Sequence, residues 1–190
     1  MAAARDGLLE FLRAVPMNEL EYFGFHDQDE LSRATLGEPF RVYTMLPSEI
    51  LAVAGGEPTA ATIHSTTLWQ FPVLCDGTSR TLLTIDDMDG IWAAVDLGGL
   101  SPAIEMRELA DRWPRSQGYE LEYVRVFQTG SQFISVTKDN LSHLVSLEST
   151  ARSLGMLAEG EAFEYQLMDV SAVVAILAPF VWANLETTQE

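Results

Sequence analysis

Residues 66–98 read TTLWQFPVLCDGTSRTLLTIDDMDGIWAAVDLG. Three runs rich in threonine, valine, isoleucine, leucine and tryptophan are separated by DGTS and DDMDG, two segments with the composition of turns. Apolar runs of this length, joined by turns that contain Asp-Gly, are typical of neighbouring hairpin strands. The stretch therefore predicts a three-stranded antiparallel meander, and this meander sets the fold class of the chain.

A second hairpin is predicted further along the chain. ELEYVRVFQ (120–128) and QFISVTK (132–138) flank a loop at 129–131, and counting outward from it places Glu122 opposite Lys138, the only lysine. PFRVYTML (39–46) alternates in the same way and predicts one more strand. We therefore predict an α+β fold, in which an antiparallel sheet of five to seven strands packs with several helices.

Capping residues and helix breakers mark those helices. Asp27 stands three residues before Glu30. This is the spacing of a capping box, in which an N-cap residue and an acidic residue at the third helical position bond to each other's backbone, and it predicts a helix near 28–36. Ser48 and Ser101 are the predicted N-caps of two further helices, which extend to Ala54 and about Trp113. An apolar helix bent by Pro179 is predicted at 170–184. Because Ser171 has the only polar side chain in 170–183, we expect that helix to face water on no side and to be either buried in the domain or shared with a second subunit.

The remaining C-terminal segments have weaker patterns. Residues 140–155 are predicted to be helical or irregular, and EAFEYQLM (161–168) is predicted to be a last strand. With 190 residues, 47% of them hydrophobic, the chain can bury a sizeable core. We predict a single domain over 1–190 with a helical N-terminal part (1–60), a sheet-rich middle (65–138) and a C-terminal helix at about 170–184.

The net charge restricts the classes of partner. Twenty-eight acidic residues against 11 basic ones give a charge of -17, and the acids are spread along the whole chain. Such a surface repels phosphate backbones and anionic lipids, and it favours cationic partners or divalent ions. No apolar run approaches the roughly 20 residues that span a bilayer. We therefore predict no nucleic-acid binding and no membrane insertion.

The segment TIDDMDGIW (84–92) is the strongest candidate for a metal site. In a helix-loop-helix calcium loop with Gly90 at position 6, Asp87 and Asp89 occupy positions 3 and 5, but position 1 is Ile85. The alternative is a hairpin with a five-residue loop over 86–90, which places Arg80 opposite Asp96. We favour the hairpin and predict no metal site and no cofactor. The metal candidates that remain are Asp86, Asp87 and Asp89.

The histidines and the single cysteine suggest no catalytic site. His26, His64 and His143 are far apart in sequence and follow no metal-binding spacing. Cys75 and His64 are a conceivable nucleophile and base, but Cys75 precedes an Asp-Gly turn and has no basic neighbour, so we expect a packed residue. No phosphate-binding or nucleophile motif is present. We therefore predict no catalytic residues.

The meander predicts one feature with a functional interpretation. In the predicted register Trp69, Phe71 and Trp92 share a sheet face with Leu82, while the opposite face is also apolar. One interpretation is that a helix, such as 102–113 or 170–184, covers the aromatic face. The other is that Trp69, Phe71 and Trp92 line a groove for a small ligand, a peptide or a second subunit.

LGEPFRVYTMLPSEIL (36–51), FPVLCDG (71–77) and LLTIDDMDGIWAAVDLG (82–98) resemble an uncharacterised family of small bacterial proteins that are often made with an export signal. The resemblance implies a bacterial source and no known activity. The sequence as written begins without a signal-peptide pattern, which predicts a cytoplasmic protein. If a signal peptide has been removed before the Met-Ala-Ala-Ala start, the expected location is periplasmic or secreted.

These observations favour a non-enzymatic binding or protein-interaction module with an acidic surface and an aromatic sheet face. Its expected partner is an unidentified small ligand or a protein, and the expected state is a monomer or a homodimer. The alternative function is a small metal-dependent hydrolase that uses the acidic loop 86–89 around a divalent ion.

Overall fold

The computed structural model describes residues 2–56 and 62–187 of the chain. Its α-helices are α1 (Ala2–Ala14), α2 (Gln28–Arg33), α3 (Pro47–Ala54), α4 (Leu100–Arg112), α5 (Glu148–Ser153) and α6 (Val170–Thr187). Its strands are β1 (Thr35–Leu36), β2 (Phe40–Met45), β3 (Ile63–Cys75), β4 (Thr78–Met88), β5 (Ile91–Gly98), β6 (Glu120–Val126), β7 (Ser131–Lys138) and β8 (Leu141–Ser146). Short 3₁₀ turns lie at Leu20–Phe23 and Arg115–Gln117.

The predicted α+β class is confirmed, but the sheet is larger and more mixed than predicted. Hydrogen bonding orders the strands β5-β4-β3-β2-β6-β7-β8, with β1 paired to β3, which makes eight strands in the described part of the chain. The pairs are antiparallel except for β2 and β6, which run parallel. Strand β8 lies where a helix or irregular structure was predicted. The residues that link it to β7, Asp139 and Asn140, both have positive φ, as a tight hairpin turn requires.

The predicted last strand at 161–168 is wrong. In that segment only Met168 takes part in a β-bridge, with Leu144 of β8. The remaining residues have no regular secondary structure. The alternation of EAFEYQLM suited a strand, but a strand needs a partner along its whole length, and this segment has one at a single residue.

The meander is confirmed, whereas its predicted register is wrong. Asp89 and Gly90, with φ of 58° and 87°, form a two-residue turn, so that Met88 faces Ile91. The predicted five-residue loop therefore does not exist. A bulge between Thr84 and Ile85 shifts the register further, and Asp96 faces Thr84.

The predicted Arg80–Asp96 pair is absent for the same reason. The Arg80 guanidinium instead bonds to the Glu30 carboxylate at 2.5 Å, and both side chains are largely buried. This ion pair joins residues that are 50 positions apart in the sequence. A register count within one hairpin could not have revealed it.

The second hairpin is also confirmed with a corrected register. Val126 faces Ser131, so the turn contains four residues, and Glu122 faces Ser135. Lys138 faces Leu141 of β8, and its ammonium lies 4.4 Å from the centre of the Tyr119 ring. The charge pair that suggested the register is therefore replaced by a cation–π contact.

One of the three predicted helix caps is confirmed. Asp27 caps α2 by accepting the Glu30 N–H at 2.8 Å, while the Glu30 side chain accepts the N–H of His26, one residue before the cap. The other two predictions are wrong, because α3 begins at Pro47 and α4 at Leu100, which places Ser48 and Ser101 inside the first turn. Proline at the first helical position presets the backbone angle of α3 without a side-chain cap.

The chain forms two compact units that interleave in the sequence. The first contains residues up to Arg41 and Thr67–Arg112, and the second contains Val42–Thr66 and the residues from Trp113 onward. Each unit has its own hydrophobic core. The core of the first consists of Ala4, Leu8, Leu12, Leu20, Phe25, Phe71, Val73, Leu83, Ile85 and Leu97. The core of the second consists of Met45, Ile50, Val124, Val126, Phe133, Leu144, Leu154, Val173, Val174, Leu177, Ala178 and Val181. That 1–190 is one domain stays a prediction.

The C-terminal helix is confirmed, but its burial on every side is not. Val173, Val174, Leu177, Ala178 and Val181 are buried in the core of the second unit. The opposite side of α6 is open, and Trp182 is 59% exposed with its indole N–H bonded to Glu186 at 2.8 Å. A helix in contact with a core on one side buries only its i, i+3, i+4 stripe. Within 2–56 and 62–187, the helices are too short or too polar to cross a bilayer.

Candidate functional site

The three aromatic residues singled out in the sequence lie on one face of the sheet. In the pairing of β3 with β4, Trp69 faces Ile85. In the pairing of β4 with β5, Ile85 faces Ala94, and Trp92 lies two residues from Ala94 on the same side of β5. Phe71, two residues from Trp69, completes the set. The structure thus brings Trp69, Phe71 and Trp92 together in the first unit.

The other members of this face differ from those predicted. Leu83 faces Phe71 and lies on the aromatic side, together with Ile85 and Leu97. Leu82 lies on the opposite side of β4, where it is also buried. The shorter turn and the bulges moved these residues to the other face, because one extra or missing residue inverts side-chain direction.

A helix covers the aromatic face, as the first interpretation predicted, but it is α1 and neither of the two helices named as examples, 102–113 and 170–184. Ala4, Leu8 and Leu12 form a stripe at four-residue spacing and pack in one cluster with Phe71 and Leu83. The stripe was visible in AAARDGLLEFLRA (2–14), but nothing local indicated which sheet face it covers. Helix α4 packs against β4.

A groove remains between the first turn of α1 and the aromatic rings. It has a volume of about 340 Å³. Its lining consists of Ala3, Ala4, Pro39, Trp69, Phe71, Ile85 and Trp92. The lining side chains are apolar apart from the two indole N–H groups, and the alanines on α1 are too small to fill the space opposite the rings.

The position of α1 is fixed by a close approach at Gly7. A Cβ placed on Gly7 would overlap the Cβ of Ala94 on β5. Glycine at position 7 therefore lets the helix approach Ala94 more closely than a residue with a side chain would. One helical turn earlier, Ala3 and Ala4 face the groove.

Gly7→Ala should lower the free energy of unfolding by about 2 kcal/mol, because the added methyl pushes α1 away from β5. This loss outweighs the gain of about 1 kcal/mol that alanine normally brings to a helix. Urea titration of both proteins measures the difference. The double variant Gly7→Ala/Ala94→Gly makes room for the methyl and should be more stable than Gly7→Ala alone. A single variant as stable as the parent would contradict the close approach.

The tip of the β4–β5 hairpin forms the lip of the groove. Asp87 faces Trp92 across the two strands, and the flanking Met88 and Ile91 are 55% and 71% exposed. Asp87 Oδ1 accepts the Gly90 N–H at 2.6 Å. The lip therefore places the Asp87 carboxylate beside Trp92, while Met88 and Ile91 point to the opposite face of the hairpin.

The three aspartates of the loop do not converge on one point. Asp86 Oδ1 accepts the N–H of Asp87 at 2.8 Å, and these neighbours point to opposite faces of β4. Asp89 occupies the turn with positive φ. Over the residues that the structure describes, no three His, Cys, Asp or Glu side chains are grouped to hold a metal ion. The arrangement is that of a hairpin turn stabilised by its own carboxylates.

The histidines have separate partners. His26 Nε2 lies 3.3 Å from the Arg80 guanidinium, and His143 Nε2 lies 3.8 Å from an exposed carboxylate oxygen of Asp169. His64 Nε2 lies 2.9 Å from Glu49, whose other carboxylate oxygen accepts the Thr62 N–H at 2.8 Å. The Thr62 N–H and then the His64 ring hold the pKa of the Glu49 carboxyl below its ordinary value. These contacts stabilise local structure.

Cys75 is a buried free thiol. Its Sγ lies 3.7 Å from Asp76 Oδ2, the carboxylate of the next residue. His64 stands near the start of β3 and Cys75 at its end, so the extended strand separates them by roughly 3.3 Å for each residue. The two side chains cannot act as nucleophile and base within one site.

A second cavity, of about 380 Å³, lies in the second unit. Irregular residues of 156–168 form most of its wall, and Glu161, Glu164 and Gln166 are exposed along it. Its wall mixes apolar side chains with acidic and amide ones and is largely without secondary structure. The groove of the first unit is built on three strands and a helix, and rigid elements of this kind hold a binding site more precisely.

Comparison with known proteins gives no match: no family model fits the chain, and no curated protein or solved structure is similar to it. The resemblance to exported bacterial proteins stays a prediction. The chemistry of the groove is therefore the basis for a functional proposal.

Proposed function

We propose that the protein is a non-enzymatic binding module that holds an apolar group of a small ligand or a protein partner in the groove beside Trp69, Phe71 and Trp92. The observation that carries the proposal is the groove itself, an apolar space between α1 and the sheet. Concave sites with mostly apolar walls and few polar groups are the usual form of ligand pockets.

Exposure of the aromatic wall supports this function. Trp92 is 46% exposed, although Trp69 and Phe71 beside it are mostly covered. Tryptophan is enriched at the centres of binding sites because it buries a large area with little loss of conformational entropy. A partner that covers this surface removes it from water, which stabilises the complex.

The metal-dependent hydrolase finds no comparable support. Catalysis by a divalent ion needs several carboxylates directed at one point. Asp86 and Asp87 point to opposite faces of β4, and each accepts a backbone N–H of the turn. A binding function needs no such convergence, and we prefer it for that reason.

A neutral apolar dye, Nile red, tests the groove. We expect its fluorescence to rise on binding and Ala3→Phe to weaken the binding at least about tenfold, because the new ring occupies the space opposite Trp69 and Trp92. Ala2→Phe is the matched control, since Ala2 is exposed at the neighbouring position of α1. Circular dichroism would verify that both variants are folded.

Two results would contradict the proposal. One is a parent protein that leaves the dye fluorescence unchanged. The other is a dye affinity that Ala3→Phe and Ala2→Phe reduce equally, which would place the dye elsewhere on the molecule.

A further inference from the structure

Strand β5 is the last strand at one end of the sheet. It pairs with β4 on one side, and within the described residues no further strand pairs with its other side. The two-residue turn makes Met88 and Ile91 a hydrogen-bonded pair, so Trp92 and Ala94 occupy non-bonded positions. The N–H and C=O groups of Trp92 and Ala94 therefore point away from β4, toward the open edge.

This edge has few of the features that usually prevent strand addition. Proteins protect edge strands with lysine, proline or inward-pointing charges. Strand β5 contains no lysine and no proline, and its only charged residue is Asp96. Apart from Asp96, its exposed side chains are apolar and occur on both faces of the strand, with Ile91 on one and Trp92 on the other.

The charges around this edge select the partner. Between Arg80 and Arg107 the chain contains no lysine or arginine, whereas Asp86, Asp87, Asp89 and Asp96 all lie on β4, β5 or their turn. A second copy of the chain would bring the same acids together and add its own charge of -17. A basic segment would instead meet complementary charge.

We propose that an extended, cationic segment of a partner protein adds to β5 as a further antiparallel or parallel strand, with one apolar side chain in the groove beside Trp92. Backbone hydrogen bonds to Trp92 and Ala94 provide the affinity, as in other cases of β-strand addition. Asp96 and the turn aspartates select basic side chains. This inference rests on the proposed binding function and names the class of partner.

Titration calorimetry with synthetic ten-residue peptides tests the inference. The first peptide alternates lysine with valine and phenylalanine, and the second carries glutamate in place of each lysine. Two further peptides keep the lysines but are N-methylated at the odd or at the even residues, which removes the N–H donors from one edge of the strand. We expect the lysine peptide to bind at least about tenfold tighter than the glutamate peptide at low salt.

N-methylation on the edge that faces β5 should weaken binding at least about tenfold, and methylation on the opposite edge should leave it nearly unchanged.

Asp96→Lys should weaken binding of the lysine peptide several-fold. Asp111→Lys is its matched control, because Asp111 is an exposed aspartate on α4 in the same unit. Trp92→Ala should weaken binding as well, and Trp182→Ala, which removes an exposed tryptophan of α6, should not.

Equal affinity of the two N-methylated peptides would overturn strand addition and leave only attraction between charges. Equal effects of Asp96→Lys and Asp111→Lys would overturn the position on β5. If Nile red binds the groove but the lysine peptide does not bind, this inference fails while the proposed function stands. If neither binds, both fail.

Discussion

Removing the residues after Met168 should abolish folding of the second unit. The truncation deletes α6 and with it Val173, Val174, Leu177 and Val181, which are fully buried in the core of that unit. Each such side chain contributes roughly 1.5–3 kcal/mol, and their sum is comparable to the whole stability of a domain. Amide hydrogen exchange at Phe133 of β7, which belongs to the same core, should lose its protection.

Single substitutions in the full chain separate core packing from exposed surface. Leu177→Ala should lower the free energy of unfolding by about 2–5 kcal/mol, the usual range for a buried leucine. Trp182→Ala should cost far less, because Trp182 contacts the solvent over most of its surface. Equal losses in the two variants, or a truncated chain that still unfolds cooperatively in the second unit, would show that α6 does not complete this core.

Glu30→Ala should lower the free energy of unfolding by about 3 kcal/mol. The substitution leaves the Arg80 guanidinium without its carboxylate partner, and the Arg80 and Glu30 side chains are only 19% and 9% exposed. It also removes the acceptor of the His26 N–H. A buried charge without a partner is costly because water cannot replace the lost bond.

Asp96→Ala is the control for that prediction. Asp96 was the partner expected for Arg80 from the hairpin count, but it is exposed and faces Thr84. Its removal should change stability by less than about 0.5 kcal/mol in urea titrations. If Asp96→Ala is the more damaging substitution, the predicted five-residue loop is right and the observed two-residue turn is wrong.

Local patterns in the sequence were sufficient to predict most of the helices and strands and one helix cap. The strands of the meander, the second hairpin and the C-terminal helix follow from residues within a few positions of each other, because backbone preference and side-chain periodicity act over that range. Asp27 caps α2 as predicted for the same reason, since both bonded atoms lie within three residues. The aromatic character of Trp69, Phe71 and Trp92 was also visible in the sequence alone.

Register and pairing could not be obtained in the same way. A loop of two residues and a loop of five both fit an Asp-Gly turn, and the choice between them inverts the side-chain direction in one strand relative to the other. Packing of α1 on Leu83 and Ile85 favours the observed choice, because the predicted register would turn these two side chains to the opposite face, away from α1. The parallel pairing of β2 with β6 likewise joins Val42 to Tyr123 across a long stretch of sequence.

The sequence by itself thus determined most of the strands and helices, the net charge of -17, and the three aromatic residues that share one face. Only the tertiary structure decided that α1 covers this face, that Gly7 meets Ala94, and that a groove stays open beside Ala3. The physical reason is distance along the chain. A groove is the space left between elements, and its shape depends on side chains that are distant in sequence and meet only after folding.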